Sequence, residues 1–191
     1  MHTYSLNELI KKGISNEMIN NIILEILNTT LPVKDDYPEY KTWFLTKHIG
    51  SLGIDRDTLF TVYKDKIVGV ANIKFSESKI CTLYIKQGFR ANKIGTELLK
   101  LCMEMLGTSK PLITISSNKL SQFKKFIKAN NWEYSETLNN YYTSDSDEYV
   151  FNGTMYLPKE KEIIKPNNFY HITLPYNKKF IMFIKHIFKY I

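Results

Sequence analysis

The side chains best suited to chemistry lie between Leu83 and Leu99. Leu83, Tyr84 and Ile85 close an apolar, strand-like stretch. Gln87 to Lys93 form a polar turn. Ile94, Gly95 and Thr96 open a helix whose apolar residues Ile94, Leu98, Leu101, Cys102 and Met105 share one face. The first turn of such a helix leaves backbone N–H groups unpaired and carries the positive end of the helix dipole. A pyrophosphate fits there without further apparatus. Gly95 has no Cβ and lets a ligand approach the backbone, while Arg90 and Lys93 add charge beside it. Other reactive residue types are scattered. Cys81 and Cys102 fall on a strand and on an apolar helix face, and read as buried structural thiols. His2, His48, His171 and His186 have no metal-ligand spacing, so no metal is expected.

A strand–turn–helix unit needs a sheet to hold it. The stretches 59–63, 67–75 and 80–85, joined by short turns, predict an antiparallel meander. Residues 111–115 read as a short buried strand, reached from 80–85 through the helix that Gly107 stops. Such a crossover makes those two strands parallel neighbours. A helix capped by Ser117 or Asn118 follows through Leu120, Phe123 and Ile127. Two further strands, over 132–138 and 148–153, flank a polar loop at 143–147. Ahead of the meander, Ser5 and Glu8 form a capping box, and Gly13 stops that helix. Ser15 caps a second helix carrying Ile19, Ile22, Ile23 and Ile26. Asp35 and Asp36 predict the cap of a third, with Pro38 just inside and Tyr40, Trp43 and Phe44 along it. His2–Tyr4 is a candidate for one more strand.

The string Arg90-Ala91-Asn92-Lys93-Ile94-Gly95, followed by Thr96-Glu97-Leu98-Leu99, resembles the coenzyme A loop of the GNAT superfamily of acyl-CoA N-acyltransferases. That loop reads Arg/Gln-x-x-Gly-x-Gly/Ala between a strand and a helix. The first residue, the final glycine and the trailing Leu-Leu match, and Lys93 stands where the family usually has glycine. The order of elements from Thr58 to Gly153 is also GNAT-like, with Asn131-Trp132 where many members carry Gly-Phe. The resemblance implies an α+β fold, α/β/α sandwich-like, with a mixed, mostly antiparallel sheet and helices on both faces. It also implies transfer of an acetyl group from acetyl-CoA to a primary amine. Coenzyme A would be held along Leu83, Tyr84 and Ile85 and by Arg90, Ala91, Asn92, Lys93, Ile94, Gly95 and Thr96. Many members use a tyrosine in the helix after the fifth strand as general acid. Alignment on Trp132 puts Ile127 there, which leaves Tyr141 and Tyr142 as the nearest substitutes. The strand at 80–85 offers no carboxylate as base; Glu77, Asp145 and Glu148 are candidates that read more simply as solvated loop charges, and base work through an ordered water is equally open. Ser116, Ser117 and Asn118 read as helix caps. Tyr37, Tyr40, Trp43 and Phe44 shape either an acceptor pocket or the core.

Length and charge bound the remaining choices. The chain has 191 residues, enough for one domain with an appendage, and its 43% hydrophobic content excludes a largely disordered chain. No apolar run approaches a membrane span. No basic stretch leads into an apolar one at the N-terminus, and two cysteines suit a reducing compartment, so a cytoplasmic location is expected. The formal charge is +7, but 24 of the 26 cations are lysine, a poor base reader, so nucleic acid is weakly supported as a partner. Residues 1–152 hold 19 cations and 17 anions, while 153–191 hold 7 and 2. This division predicts an acyltransferase domain over 1–153 and a basic C-terminal extension over 154–191. The extension would end in an amphipathic helix with Phe180, Ile181, Ile184, Ile187 and Phe188 apolar. Met182 and Phe183 widen that arc and favour burial against the domain, or in a homodimer, over a membrane surface. Two alternatives remain at this level. One is acetylation of the amino acid on a charged tRNA held by the tail. The other is a non-catalytic acyl-CoA sensor, suggested by Ile127 and the missing carboxylate.

Overall fold

Alternating apolar residues and tight turns build a single seven-stranded sheet in the computed structural model, which describes residues 1–155. The strands are β1 (His2–Ser5), β2 (Arg56–Tyr63), β3 (Lys66–Lys74), β4 (Lys79–Ile85), β5 (Leu112–Ser116), β6 (Tyr134–Thr143) and β7 (Ser146–Phe151). They lie in the order β1-β2-β3-β4-β5-β7-β6. The β4–β5 pair is parallel and every other pair antiparallel, as the helical crossover between them requires.

Neighbouring residues of each strand serve opposite faces of the sheet. Phe60 and Val70 pack beneath α1 (Leu6–Lys11), α2 (Asn16–Thr30) and α3 (Tyr40–Trp43), whose Leu9, Ile22, Ile26 and Phe44-side residues form the first core. Leu59 and Ala71 belong to the second core, with α4 (Ile94–Leu106), Trp132 and the partly buried face of α5 (Leu120–Ala129). Ser5 and Ser15 cap α1 and α2 through their hydroxyls, accepting from the Glu8 and Met18 N–H groups. Gly107 ends α4 in the left-handed conformation.

Three local expectations need correction. The third helix does not start at Asp35 or Asp36. Residues 31–35 form a 3-10 turn, α3 begins only at Tyr40, and a wide turn over Phe44–His48 continues it. Asp36 is drawn away from capping, because its carboxylate accepts from the Ser116 hydroxyl (3.2 Å) and pairs with Lys119 (3.3 Å). Neither Ser117 nor Asn118 caps α5, which starts after Lys119. The hydroxyls of Ser116 and Ser117 instead bond Ser146 at 2.7 and 3.0 Å, tying β5 to β7. Finally, β6 starts at Tyr134 and runs to Thr143, so the loop expected at 143–147 shrinks to two residues. Trp132 is buried ahead of β6, its indole N–H donating to the Ser109 carbonyl at 3.1 Å. The extension over 154–191, with its amphipathic helix and the homodimer expected through it, lies outside the described residues apart from 154 and 155.

Candidate active site

One irregularity in β4 creates the site. Asn72 pairs with Thr82 and the next residue, Ile73, with Ile80, which leaves Cys81 as the extra residue of a β-bulge. A bulge bends its strand. Accordingly β4 pairs with β5 only at Lys79–Leu112 and Ile80–Ile113, although both strands continue. The gap opens a cleft of about 800 Å³, lined by residues 79–85 on one side and 113–116 on the other.

One mouth of the cleft is the start of α4. Glu97 is the first residue whose N–H bonds back into the helix, to the Lys93 carbonyl at 3.0 Å, so the N–H groups of Ile94, Gly95 and Thr96 precede the intrahelical ladder. A Cβ on Gly95 would meet Ile85 Cγ1 at 3.5 Å and Phe126 Cζ at 3.7 Å, which are ordinary contacts. The protein itself therefore does not require glycine there, and the small residue leaves room for a ligand lying on the turn. Lys93 sits at φ +61° and Ala91 at φ +65°, in the left-handed region. This explains the family preference for glycine at position 93, and the lysine holds the same backbone at a conformational cost of roughly 1 kcal/mol. Arg90 Nε donates to the Ile85 carbonyl at 3.1 Å and Nη1 to Gln122 Oε1 at 3.5 Å, clamping the loop to the end of β4 and to α5. Gly69 on β3 plays a part that its sequence context did not reveal. A Cβ there would lie 2.9 Å from Ile94 Cγ2 and Leu98 Cδ1, so its absence lets α4 seat closely on the sheet.

Of the expected coenzyme A residues, Leu83, Tyr84, Ile85, Arg90, Ala91, Lys93, Gly95 and Thr96 line the cleft. Asn92 does not, and its amide reaches the Phe89 carbonyl (3.5 Å) within the turn. The Ile94 side chain is buried in the second core.

The other mouth lies on the opposite face of the sheet. Tyr37 and Trp43 come from the α3 segment, Tyr142 from β6, and Glu148 from β7 opposite Ser116 of β5. Tyr40 and Phe44 are core residues instead, at 1% and 0% exposure. Tyr142 meets Tyr37 with ring centroids 4.5 Å apart. Tyr141 stands edge-on to Tyr142 at 4.6 Å and does not line the cleft. Burial first, then the neighbouring phenols and the Glu148 carboxylate, push the Tyr142 hydroxyl far above its ordinary range.

Glu148 corrects the expectation of a solvated loop charge. It is only 5% exposed, and burial raises its carboxyl to about 7, with Asp36 adding to the rise while Thr114 and Lys79 oppose it. Glu77 keeps the expected character, paired with Lys74 at the surface, and Asp145 is exposed at the β6–β7 turn. Position alone hid Glu148. Its burial depends on the pairing of β7 with β5, which sets it opposite Ser116.

A buried polar chain fixes the α3 wall. Thr58 donates to Asn72 Oδ1 at 3.0 Å, so it accepts from His48 Nε2 at 2.8 Å, and Asn72 donates to the Tyr40 hydroxyl at 3.2 Å. Burial, reinforced by Arg56, lowers His48 to about 3 and keeps it neutral. Among the described residues no group of three His, Cys, Asp or Glu side chains could hold a metal ion, and no helix is long and apolar enough to cross a membrane.

Comparison with known proteins agrees with this geometry. Among solved structures, the chain is similar to an aminoglycoside 6'-N-acetyltransferase complexed with coenzyme A. The TM-score is 0.52 at 13% identity, covering 79% of this chain and 95% of that one, a likeness of fold alone. Weaker likenesses are to nourseothricin acetyltransferase (TM-score 0.44, 11% identity, 51% and 64% covered) and to Arabidopsis thaliana Naa50 in complex with a bisubstrate analogue (0.41, 24%, 51% and 72%). The chain thus spans 64% of the length of the nourseothricin enzyme. Curated protein sequences give no match. The family model described as the acetyltransferase (GNAT) domain matches residues 45–163, from the turn after α3 through the split strands to the end of the sheet and beyond, and the chain belongs to the GNAT acetyltransferase family.

Proposed function

We propose that the protein transfers an acetyl group from acetyl-CoA to a primary amine across the gap between β4 and β5. The observation that carries this reading is the through-going cleft, with helix-start N–H groups at one mouth and a buried, near-neutral carboxylate at the other. The α4 turn holds the pyrophosphate and the gap admits the pantetheine arm, alongside Leu83, Tyr84 and Ile85. Gly95 leaves room for the ligand at the turn.

Glu148 takes a proton from the incoming ammonium, which frees the nitrogen lone pair. The nitrogen forms a bond to the thioester carbonyl carbon, the carbon–sulfur bond breaks, and coenzyme A departs as a thiolate that collects the nitrogen's second proton. Tyr142 supplies the O–H that meets the sulfur. Because its phenol is held well above a thiol in pKa, it acts mainly by hydrogen bonding to the thiolate. Holding both reactants in one cleft supplies the rest of the rate.

The presence of a base and a hydroxyl in the cleft favours an enzyme over an acyl-CoA sensor. Release of free thiol from acetyl-CoA, followed over a panel of primary amines, tests the proposal. Amine-dependent release supports transfer. Binding of acetyl-CoA without release for any amine supports the sensor.

A further inference from the structure

The acceptor end of the cleft carries two cations that have no ion-pair contact among the described residues. Lys79 is 8% exposed, and its ammonium contacts only Met155 Sδ, at 2.9 Å. Arg56 lies over the Trp43 ring, 5.6 Å from its centroid, and its Nη1 reaches Cys81 Sγ at 3.6 Å. Neither takes part in an ion pair among the described residues, where the four pairs are Lys74–Glu77, Lys100–Glu104, Lys110–Glu133 and Lys119–Asp36. Both line the cleft. A buried ammonium without a carboxylate in contact is costly; burial lowers the Lys79 pKa, Cys81 and Glu77 oppose the fall, and Lys74 and Arg56 add to it. An anion placed between the two cations would relieve that cost.

Coenzyme A does not supply this anion. Lys79 and Ile85 are the two ends of β4, about 20 Å apart at the rise of an extended strand, and the α4 turn lies beyond Ile85. On the face it shares with Arg56, Lys79 looks instead toward Glu148. Their levels differ by four residues of β5, from Leu112 to Ser116, about 13 Å. The Lys79 side chain and a small molecule together bridge that distance.

We propose that the acceptor is a small zwitterion: its amine lies by Glu148 and its compact anionic group, carboxylate or phosphate, is held by Arg56 and Lys79. This rests on the transferase reading and names its substrate class. Arg56 suits a forked anion and Lys79 a point contact.

The test uses full-length protein, acetyl-CoA and matched amines: cadaverine against lysine, tyramine against tyrosine, and ethanolamine against phosphoethanolamine. Thiol release gives kcat/KM for each. Calorimetry on the coenzyme A-loaded protein gives the binding of the same amines. The expected result is a preference of about tenfold or more for the anionic member, the value of one charge-assisted contact. The first two pairs report carboxylate and the third phosphate. Arg56→Gln and Lys79→Gln should collapse the ratio, mainly through KM, and Lys79→Arg should keep it. A wild-type ratio of one or less in all three pairs overturns the proposal, and so does a ratio that both glutamine variants leave in place. No thiol release with any amine overturns the transferase reading instead, and calorimetric preference then decides the anion subsite alone.

Discussion

Glu148 stands directly across the β5–β7 ladder from Ser116, and the two side chains face the same cleft as Asp36, which the Ser116 hydroxyl contacts at 3.2 Å. A carboxylate therefore sits near a second carboxylate in a buried place, with Lys79 as the cation that acts on it and the Tyr142 phenol nearby. Its proton affinity follows from this arrangement.

The pH dependence of turnover should report Glu148. With its carboxyl at about 7, kcat/KM rises as pH increases through neutrality and levels off above it. Glu148→Gln should lower kcat by about 100-fold and remove that limb of the profile. Stability moves the other way. The folded pKa is raised above the ordinary 4.5, so the native state binds the extra proton between 4.5 and about 7, and stability falls as pH rises through that window. Thermal melts should show Glu148→Gln gaining on the wild type from pH 4 to pH 8.

Two glycines should separate folding from binding. A Cβ at Gly95 meets only ordinary contacts in the protein, so the longer side chain of Gly95→Gln should leave the melting temperature in place while its bulk on the turn lowers acetyl-CoA affinity. Gly69→Ala drives a Cβ to 2.9 Å from Ile94 and Leu98 and should cost about 1–3 kcal/mol of stability. Melts paired with calorimetry distinguish the two effects.

Lys93→Gly should stabilise the fold by roughly 0.5–1 kcal/mol, because it removes a left-handed lysine at φ +61°. Chemical denaturation measures the gain.

Tyr142→Phe should lower kcat by about 10–100-fold with little change in KM. Tyr141→Phe, whose ring lies beside Tyr142 and outside the cleft lining, should lower it far less. Steady-state kinetics on the pair checks the assignment.

What was legible in the sequence was local. Arg90, Gly95 and the apolar face of α4 announce a helix start fit for a phosphate, because that geometry spans one strand, one turn and one helix. The parallel β4–β5 pair followed from a single helical crossover between the two strands. What stayed hidden depends on strands far apart in the chain. Glu148 looks like a loop charge until β7 pairs with β5. Asp36 looks like a helix cap until Ser116 and Lys119 arrive from 80 or more residues away. The bulge at Cys81 exists only as a mismatch of register with β3. Lys79 and Arg56, read along the chain, are two more cations, and only the folded sheet puts them on one face.

Calorimetric titration of acetyl-CoA into the wild type and into Gly95→Trp and Arg90→Glu puts the coenzyme site at the α4 turn to the test. Saturable binding to the wild type is expected, and loss of it in both variants while their folds persist. Absence of binding to the wild type, or binding that survives both substitutions, would contradict that placement.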